Sequence, residues 1–438
     1  MSQAIVLAGG SGTRIKDISG DLPKSMISIA GKPLLQHIIE QCVKYNFLDI
    51  KLLVSHKREI IENFFKDGSK FGVKIQYIVE DKPKGTAGAI LDALPNFGDS
   101  FLVIYGDTFF DINLNKFWEF HKTKKGDVSI YLHPNDHPFD SDLVEINSNF
   151  KVQKIHSYPH KKIWLKNLVN AAIYIFNKNS LQELNFSSSK PDIAKDLFPI
   201  MLSSEKKIYG YISTEYIKDM GTPKRLLKVK KDIISGKVDS LKYEIPKIAI
   251  FIDRDGTINK EVEHLSEIEQ FELIDGAAEA IYQINLAGIL AVVVTNQPVI
   301  ARGDLKVSEL NMIHNKMDTL LGEHGAYIDR LYYCPHHPDN GFDGEIPELK
   351  YDCECRKPNI GMFINAKNDL NINLKNSWIV GDSTVDILAA QNVGMKSVLV
   401  RTGKAGKDNT FEVTPNFVVD DLKEAVQLIL KEIKSDIS

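Results

Sequence analysis

At 438 residues the chain is too long for one ordinary domain, so two or three are expected. Hydrophobic residues make up 43% and charged residues 26%, a globular balance that excludes a disordered or fibrous chain. A formal net charge of -4 argues against a nucleic-acid or membrane-surface partner.

The chain passes from Met1, Ser2 and Gln3 straight into an apolar stretch, Ala4 to Leu7, without the basic start and longer apolar run of a secretory signal. No apolar run approaches the ~18 residues of a spanning helix. A cytoplasmic protein without membrane segments is expected. Apolar runs alternate with amphipathic stretches throughout, as in parallel α/β folds. Strands are predicted at Ala4–Leu7, Ile50–Val54, Lys74–Val79 and Phe101–Tyr105. Leu34, Leu35, Ile38, Ile39, Cys42 and Val43 fall at helical spacing after Pro33. Between Gly236 and Pro246 the pattern turns polar and turn-rich, and a new apolar strand begins at Ile248. The expected organisation is therefore α/β with two domains, 1–236 and 247–438, each a mostly parallel sheet flanked by helices, joined by a linker at 237–246.

The first strand runs into Leu7-Ala8-Gly9-Gly10-Ser11-Gly12-Thr13-Arg14. Glycines let a backbone approach phosphate closely and aim N–H groups at it. No Gly-Lys-Ser/Thr follows, so this is not a Walker A loop, and the third glycine of a dinucleotide fingerprint is missing. Alone it reads as a tight turn. Lys24 follows in Leu22-Pro23-Lys24, and the whole stretch resembles the Gly-Gly-x-Gly-Thr-Arg and Pro-Lys signature of sugar nucleotidyltransferases. That resemblance implies that Gly9, Gly10, Gly12, Thr13 and Arg14 hold a triphosphate and that Lys24 contacts phosphate near the reacting centre. Lys84-Gly85-Thr86 resembles the family's base-recognition loop, with Gly85 and Thr86 at the nucleotide. Asp107 and Asp219 resemble its two magnesium-binding aspartates, and Asn170 its sugar-contacting asparagine. Read singly, Asp107 caps a helix and Asp219 closes a turn before Pro223; four matches in the expected order favour the site. Many relatives carry a Glu-Lys pair before that asparagine, whereas this chain has His156 to Lys162, which leaves the sugar contacts of that loop unassigned. The implied reaction is attack of a sugar 1-phosphate oxygen on the α-phosphorus of a nucleoside triphosphate, with Mg²⁺ between the anions.

In the second half, the buried-strand pattern Ile248–Ile252 ends at Asp253-Arg254-Asp255-Gly256-Thr257. Two carboxylates two residues apart at a strand end suit covalent phosphoryl transfer, one attacking phosphorus and one protonating the leaving group. An EF-hand loop needs a glutamate at position 12, where His264 stands. Apolar strands Ile289–Val294 and Trp378–Val380 lead to Thr295-Asn296-Gln297 and to Gly381-Asp382, with Cys355-Arg356-Lys357-Pro358 between them. This order resembles the four motifs of the haloacid dehalogenase superfamily. By that resemblance Asp253 is the nucleophile, Asp255 the acid/base, and Thr295, Asn296 and Lys357 hold the phosphoryl group. Mg²⁺ then sits on Asp253, Asp255 (through its carbonyl) and Asp382, with Asp386 in support.

Three of the four cysteines cluster in Cys334-Pro335-His336 and Cys353-Glu354-Cys355. In a cytosolic chain, two such pairs read as a structural zinc site with Cys334, His336, Cys353 and Cys355 as ligands and His337 outside it. The loop motifs, with Arg302 and Arg356 as candidate phosphate contacts, resemble heptose 1,7-bisphosphate 7-phosphatases and their histidinol-phosphate phosphatase relatives. Pro298 and Ser383 depart from the heptose pattern. Together the halves imply a bifunctional enzyme that makes GDP-heptose from nucleoside triphosphate and sugar phosphates, for lipopolysaccharide, capsule or surface-layer glycans. A mannose 1-phosphate guanylyltransferase or other nucleotidyltransferase fused to a different phosphatase stays open, as does assembly into a homo-oligomer.

Overall fold

The computed structural model describes residues 2–10, 20–55, 57–161, 163–182, 184, 186 and 188–437. Contacts divide it into two compact units. One holds residues 1–133, 140–160 and 168–242; the other holds 243–438 together with the short segments 134–139 and 161–167.

The first unit is built on a nine-stranded sheet. Its parallel part comprises β1 (Gln3–Leu7), β2 (Asp49–Val54), β3 (Lys74–Val79) and β4 (Ser100–Tyr105), ordered β4-β1-β2-β3. β1 and β2 are apolar in nearly every position and buried on both faces, as parallel strands covered by helices must be. The four predicted strands are present, each within one residue of its expected ends. Helix α1 (Leu34–Lys44) buries Leu34, Leu35, Ile38, Ile39 and Cys42 of the face that the 3.6-residue period picked out, while Val43, at the edge of that face, is exposed.

The sheet continues through strands that the sequence reading did not list. β6 (Val128–His133), β7 (Leu143–Ile146), β8 (Val152–His156) and β9 (Val169–Asn177) include the antiparallel pairs β9/β4, β9/β6 and β8/β7, while β10 (Ile208–Ile212) lies parallel to β6. A separate two-stranded ribbon pairs β5 (Thr108–Asp111) with β11 (Tyr216–Asp219).

The second unit centres on six parallel strands: β12 (Ala249–Ile252), β13 (Leu290–Asn296), β14 (Arg330–Cys334), β15 (Trp378–Gly381), β16 (Lys396–Val400) and β17 (Phe417–Val419). Their order is β14-β13-β12-β15-β16-β17, so the chain steps outward from β12 first on one side and then on the other. Clefts form beyond the carboxyl ends of strands at such a switch point. Each unit is thus α/β with a mostly parallel sheet. Residues 165–167 pack on helix α2 (Val307–Glu323): Leu165 N–H donates to Thr319 Oγ1 at 3.1 Å and Asn167 N–H to Asp318 Oδ2 at 3.2 Å. Among the described residues no helix is long and apolar enough to cross a membrane.

Candidate active sites

In the first unit, β1 and β4 are neighbours in register, and both end at a common cavity of about 300 Å³. The glycines after β1, the turn after β4 and the loop after β3 supply its walls, so Gly9, Gly10, Lys24, Gly85, Thr86 and Asp107 all line it. Gly85 opens the helix Gly85–Ala93 at φ 77°, and a Cβ there would stand 2.5 Å from Pro191 O. Only glycine satisfies both demands. Thr86 then locks the turn, donating to Asp192 Oδ2 and accepting from Ile193 N–H, both at 2.9 Å.

The two aspartates named for magnesium are more than 100 residues apart in sequence, and the β5/β11 ribbon makes them neighbours. Met220 N–H donates to the Asp107 carbonyl at 2.8 Å, and Asp219 pairs with Thr108. Lys24 is ion-paired with Asp107. Lys24 Nζ and Asp219 Oδ1 lie 3.7 and 2.9 Å from the point where a Cβ would stand on Gly221. Two anions and an ammonium therefore converge, an arrangement that fits a divalent ion between phosphates. Arg225, which the sequence reading passed over, holds Asp219 at 2.8 Å and Asp140 at 2.6 Å.

Asn170 sits at the start of β9, where the pairing with β6 shifts register. Its N–H donates to Asp142 O and its Oδ1 accepts from Ala172 N–H; it is not among the described residues lining the cavity. Gly12, Thr13 and Arg14 lie outside the described residues.

In the second unit, β12 ends at Asp253, β13 at Thr295 and Asn296, and β15 just before Asp382; all line a second cavity of about 520 Å³ with Asp255, Arg302, Arg356 and Lys357. Carboxylate oxygens of Asp253, Asp382 and Asp386 lie within 4.8 Å of one another. Burial pushes Asp253 up to about 7, against the pull of Lys357 and with the push of Asp386. Burial and the same two neighbouring acids push Asp382 up to about 8. Three crowded carboxyls, with Asp253 and Asp382 held above their ordinary range, suit a hard cation as donors. Gly256, at φ 75°, clears the way: a Cβ there would stand 2.3 Å from Asp382 Oδ2.

Burial alone would lower the Lys357 ammonium, but Asp253 at 2.8 Å and Asp386 at 2.6 Å outweigh it and hold it charged. Asp255 is held differently. Burial raises it, yet Arg254, Asn259 and Gln297 together bring it below its ordinary value. Arg254 is itself fully buried and grips both Asp255 oxygens, while Gln297 donates to Oδ2 at 2.8 Å. Neither Arg254 nor Gln297 was singled out from sequence, although each adjoins a motif residue. Asn296 is engaged on both sides by the Lys357 backbone, accepting its N–H at 2.9 Å and donating to its carbonyl at 3.0 Å. It positions Lys357.

The cysteine cluster stands beside Arg356, which lines this cleft. Sulfurs of Cys334, Cys353 and Cys355 lie 3.1–3.4 Å apart as free thiols, and His336 Nδ1 is 3.2 Å from Cys355 Sγ. Tyr351 holds the other ring nitrogen at 2.9 Å, which turns Nδ1 toward the sulfurs. Three thiols and an imidazole at this spacing fit one tetrahedral ion. Arg356 N–H donates to Cys353 Sγ at 3.3 Å, tying the cluster to the strand of chain that carries Lys357. His337 points elsewhere and lines the cleft.

Comparison with known proteins matches two separate parts of the chain to two families. Residues 3–236 match the family described as nucleotidyl transferase, and residues 354–425 match the HAD-hydrolase-like family. A D-glycero-beta-D-manno-heptose-1,7-bisphosphate 7-phosphatase from Escherichia coli O6:H1 is 41% identical over 188 residues, 42% of this chain and 96% of the relative. Among solved structures, HddC from Yersinia pseudotuberculosis complexed with GMP-PN is 27% identical, covering 53% of this chain and 100% of its own, with a TM-score of 0.46. A D,D-heptose 1,7-bisphosphate phosphatase from B. bronchiseptica, complexed with magnesium and phosphate, is 31% identical over 42% of this chain and 99% of its own, with a TM-score of 0.38.

Proposed function

Because the chain belongs to the nucleotidyl transferase family and its C-terminal half is a HAD-type phosphatase, making it a transferase and a phosphomonoester hydrolase, we propose that it performs two consecutive steps of GDP-heptose synthesis. The second unit removes the 7-phosphate of D-glycero-D-manno-heptose 1,7-bisphosphate. The first unit joins the resulting heptose 1-phosphate to GTP and releases pyrophosphate. The observation that carries this reading is the pairing, in one chain, of a phosphatase half 41% identical to a heptose bisphosphatase with a nucleotidyl transferase half. The product of one site is then the acceptor of the other.

In the phosphatase cleft, Asp253 attacks phosphorus while Lys357 and Thr295 hold the phosphoryl oxygens. A phosphate dianion arriving beside Asp255 raises that carboxyl's proton affinity, since like charges at short range disfavour ionisation. Asp255 can then hand its proton to the departing alkoxide and later take one from the water that opens the acyl phosphate. Arg254 and Gln297 keep it aimed through both half-reactions. Mg²⁺ on Asp253, Asp382 and the Asp255 carbonyl would neutralise the gathered anions, and Zn²⁺ on Cys334, His336, Cys353 and Cys355 would hold the Arg356–Lys357 segment in place.

In the transferase cleft, Lys24 faces the reacting phosphates and Asp107 and Asp219 would carry a second Mg²⁺. Arg14, Gly12 and Thr13 complete the triphosphate grip, Gly85 and Thr86 hold the nucleotide, and Asn170 reaches the sugar. A triphosphate-dependent reaction of this kind belongs in the cytoplasm and serves surface glycans such as lipopolysaccharide or capsule. Mass spectrometry of the products formed from heptose 1,7-bisphosphate with each of the four nucleoside triphosphates tests the whole reading. GDP-heptose is the expected product. Equal phosphate release from fructose 1,6-bisphosphate would remove the heptose assignment.

A further inference from the structure

The phosphatase unit buries a histidine that the reaction above leaves without a task. His314 stands in the middle of α2, only 8% exposed, and is not among the described residues lining the cleft. Its Nε2 lies 3.1 Å from Arg254 Nη1, and its ring packs against Tyr333 with centroids 5.9 Å apart. One turn further along α2, Asp318 and Thr319 accept the N–H groups of Asn167 and Leu165, which braces the helix near that level.

A guanidinium only donates, so Nε2 must accept, and the single proton of a neutral imidazole is left on Nδ1. Burial holds the ring below its ordinary pKa, and the Arg254 and Lys166 cations push the same way. The surroundings therefore favour the uncharged ring that the geometry demands. Arg254 in turn leaves no nitrogen idle. Nε donates to Asp255 Oδ1 at 3.1 Å, Nη2 to both Asp255 oxygens and to Gln297 Oε1, and Nη1 to His314. Bonds from Nε and Nη2 set the guanidinium edge to edge with the carboxylate, yet the two planes could still hinge about that edge. An acceptor at Nη1, on the far side, stops the hinge.

We propose that His314 is a positioning residue of the phosphatase: by accepting the Nη1 hydrogen it sets the plane of the Arg254 guanidinium and, through it, the aim of Asp255 at the leaving oxygen. A shift of about 1 Å at a reacting group is enough to cost on the order of 10²-fold in rate. The assignment rests on the phosphatase reading, in which Asp255 protonates the departing alkoxide.

The test compares the full-length wild type with His314→Phe and His314→Gln. Phenylalanine keeps a ring and removes the acceptor. Glutamine carries an amide oxygen that reaches as far as Nε2 and restores it. Each protein is assayed with Mg²⁺ on heptose 1,7-bisphosphate, whose alkoxide leaves only with a proton, and on 4-nitrophenyl phosphate, whose phenolate leaves without one. The ratio of the two kcat/KM values within one preparation does not depend on how much of it is folded. In His314→Phe that ratio is expected to fall about 10- to 100-fold, the scale for a slightly misplaced catalytic group. KM for the bisphosphate should stay within about twofold, since His314 touches no substrate. His314→Gln should return the ratio to near the wild-type value. If the wild type leaves 4-nitrophenyl phosphate untouched, kcat on the bisphosphate decides in the same way, low for phenylalanine and high for glutamine. If the phenylalanine variant does not fold, His314→Asn takes its place, its shorter amide reaching only as far as Nδ1. A wild-type ratio in the variant that lacks the acceptor, or a glutamine variant just as impaired, overturns the assignment and leaves the phosphatase reading standing. A wild type that releases no phosphate from the bisphosphate overturns both.

Discussion

Lys357 Nζ lies 2.8 Å from Asp253 Oδ1, so the ammonium that would hold the transferring phosphoryl also holds the nucleophile. Lys357→Met removes the only cation that an ion pair places on the Asp253 and Asp386 carboxylates among the described residues. Phosphate release is expected to fall on the order of 10³-fold, the scale seen when a preorganised charge is removed from a reacting centre. Pyrophosphate release by the other unit should stay within about twofold, because sites without shared partners act additively. Assaying both activities on one preparation checks this; a parallel loss of both would point to misfolding instead.

Asp253 and Asp382 rise from 3.8 to about 7 and about 8. Folded values above the unfolded ones mean that protonation favours the folded unit. The contribution is whole below pH 3.8 and is lost as pH rises through 7 and 8. In EDTA, the thermal midpoint of the phosphatase unit should therefore fall between about pH 5 and about pH 8, by a few degrees for each kcal/mol lost. Mg²⁺ should restore it most strongly at the alkaline end, where the carboxylates are free to bind. Asp382→Asn, which cannot ionise, should flatten the fall and abolish the Mg²⁺ response. A midpoint in EDTA that climbs over the same range would contradict the crowding of these acids.

How much of this was legible in the sequence depends on how far a residue's partner lies along the chain. Asp253, Asp255, Asp107 and Gly85 were readable because each sits in a strand-to-loop junction whose turn chemistry is written within a few residues. The parallel strands were readable for the same reason: β1, β2 and β12 are short, apolar and bounded by polar turns. Arg225 and His314 were not, since nothing local marks an arginine that will meet Asp140 or a histidine that will meet Arg254. β7, β8 and β9 also escaped notice. They mix buried and exposed positions with a bulge between Asn170 and Tyr174, which breaks the two-residue period.

The cluster of Cys334, His336, Cys353 and Cys355, proposed to hold zinc, makes a prediction separate from catalysis. Purified protein should carry about one Zn²⁺ per chain, as expected for a closed Cys₃His site, and Cys353→Ser should lower that stoichiometry toward zero by plasma mass spectrometry. Because Cys353 Sγ accepts the Arg356 N–H, the same change should loosen the segment leading to Lys357. Phosphatase turnover should then drop about 10- to 100-fold, the range for lost support around a functional group. Full zinc content in Cys353→Ser would remove this residue from the ligand set.

Gly85→Ala tests the base loop through backbone geometry alone. At φ 77° an L-residue is strained, and here its methyl would also sit 2.5 Å from Pro191 O and 2.6 Å from the Lys190 carbonyl carbon. Positive φ costs on the order of 1–3 kcal/mol without any clash, and the clash is with backbone, which cannot swing aside as a side chain does. Thr86 would be pushed off Asp192 and Ile193, and the cavity wall would move with it. Nucleotide binding is expected to weaken by at least about tenfold, the equivalent of 1.4 kcal/mol, with the thermal midpoint of the first unit falling while the phosphatase rate holds. A Gly85→Ala protein with wild-type GTP affinity would show that the turn is slack enough to reshape, and that its tight packing on Pro191 contributes nothing to the nucleotide site.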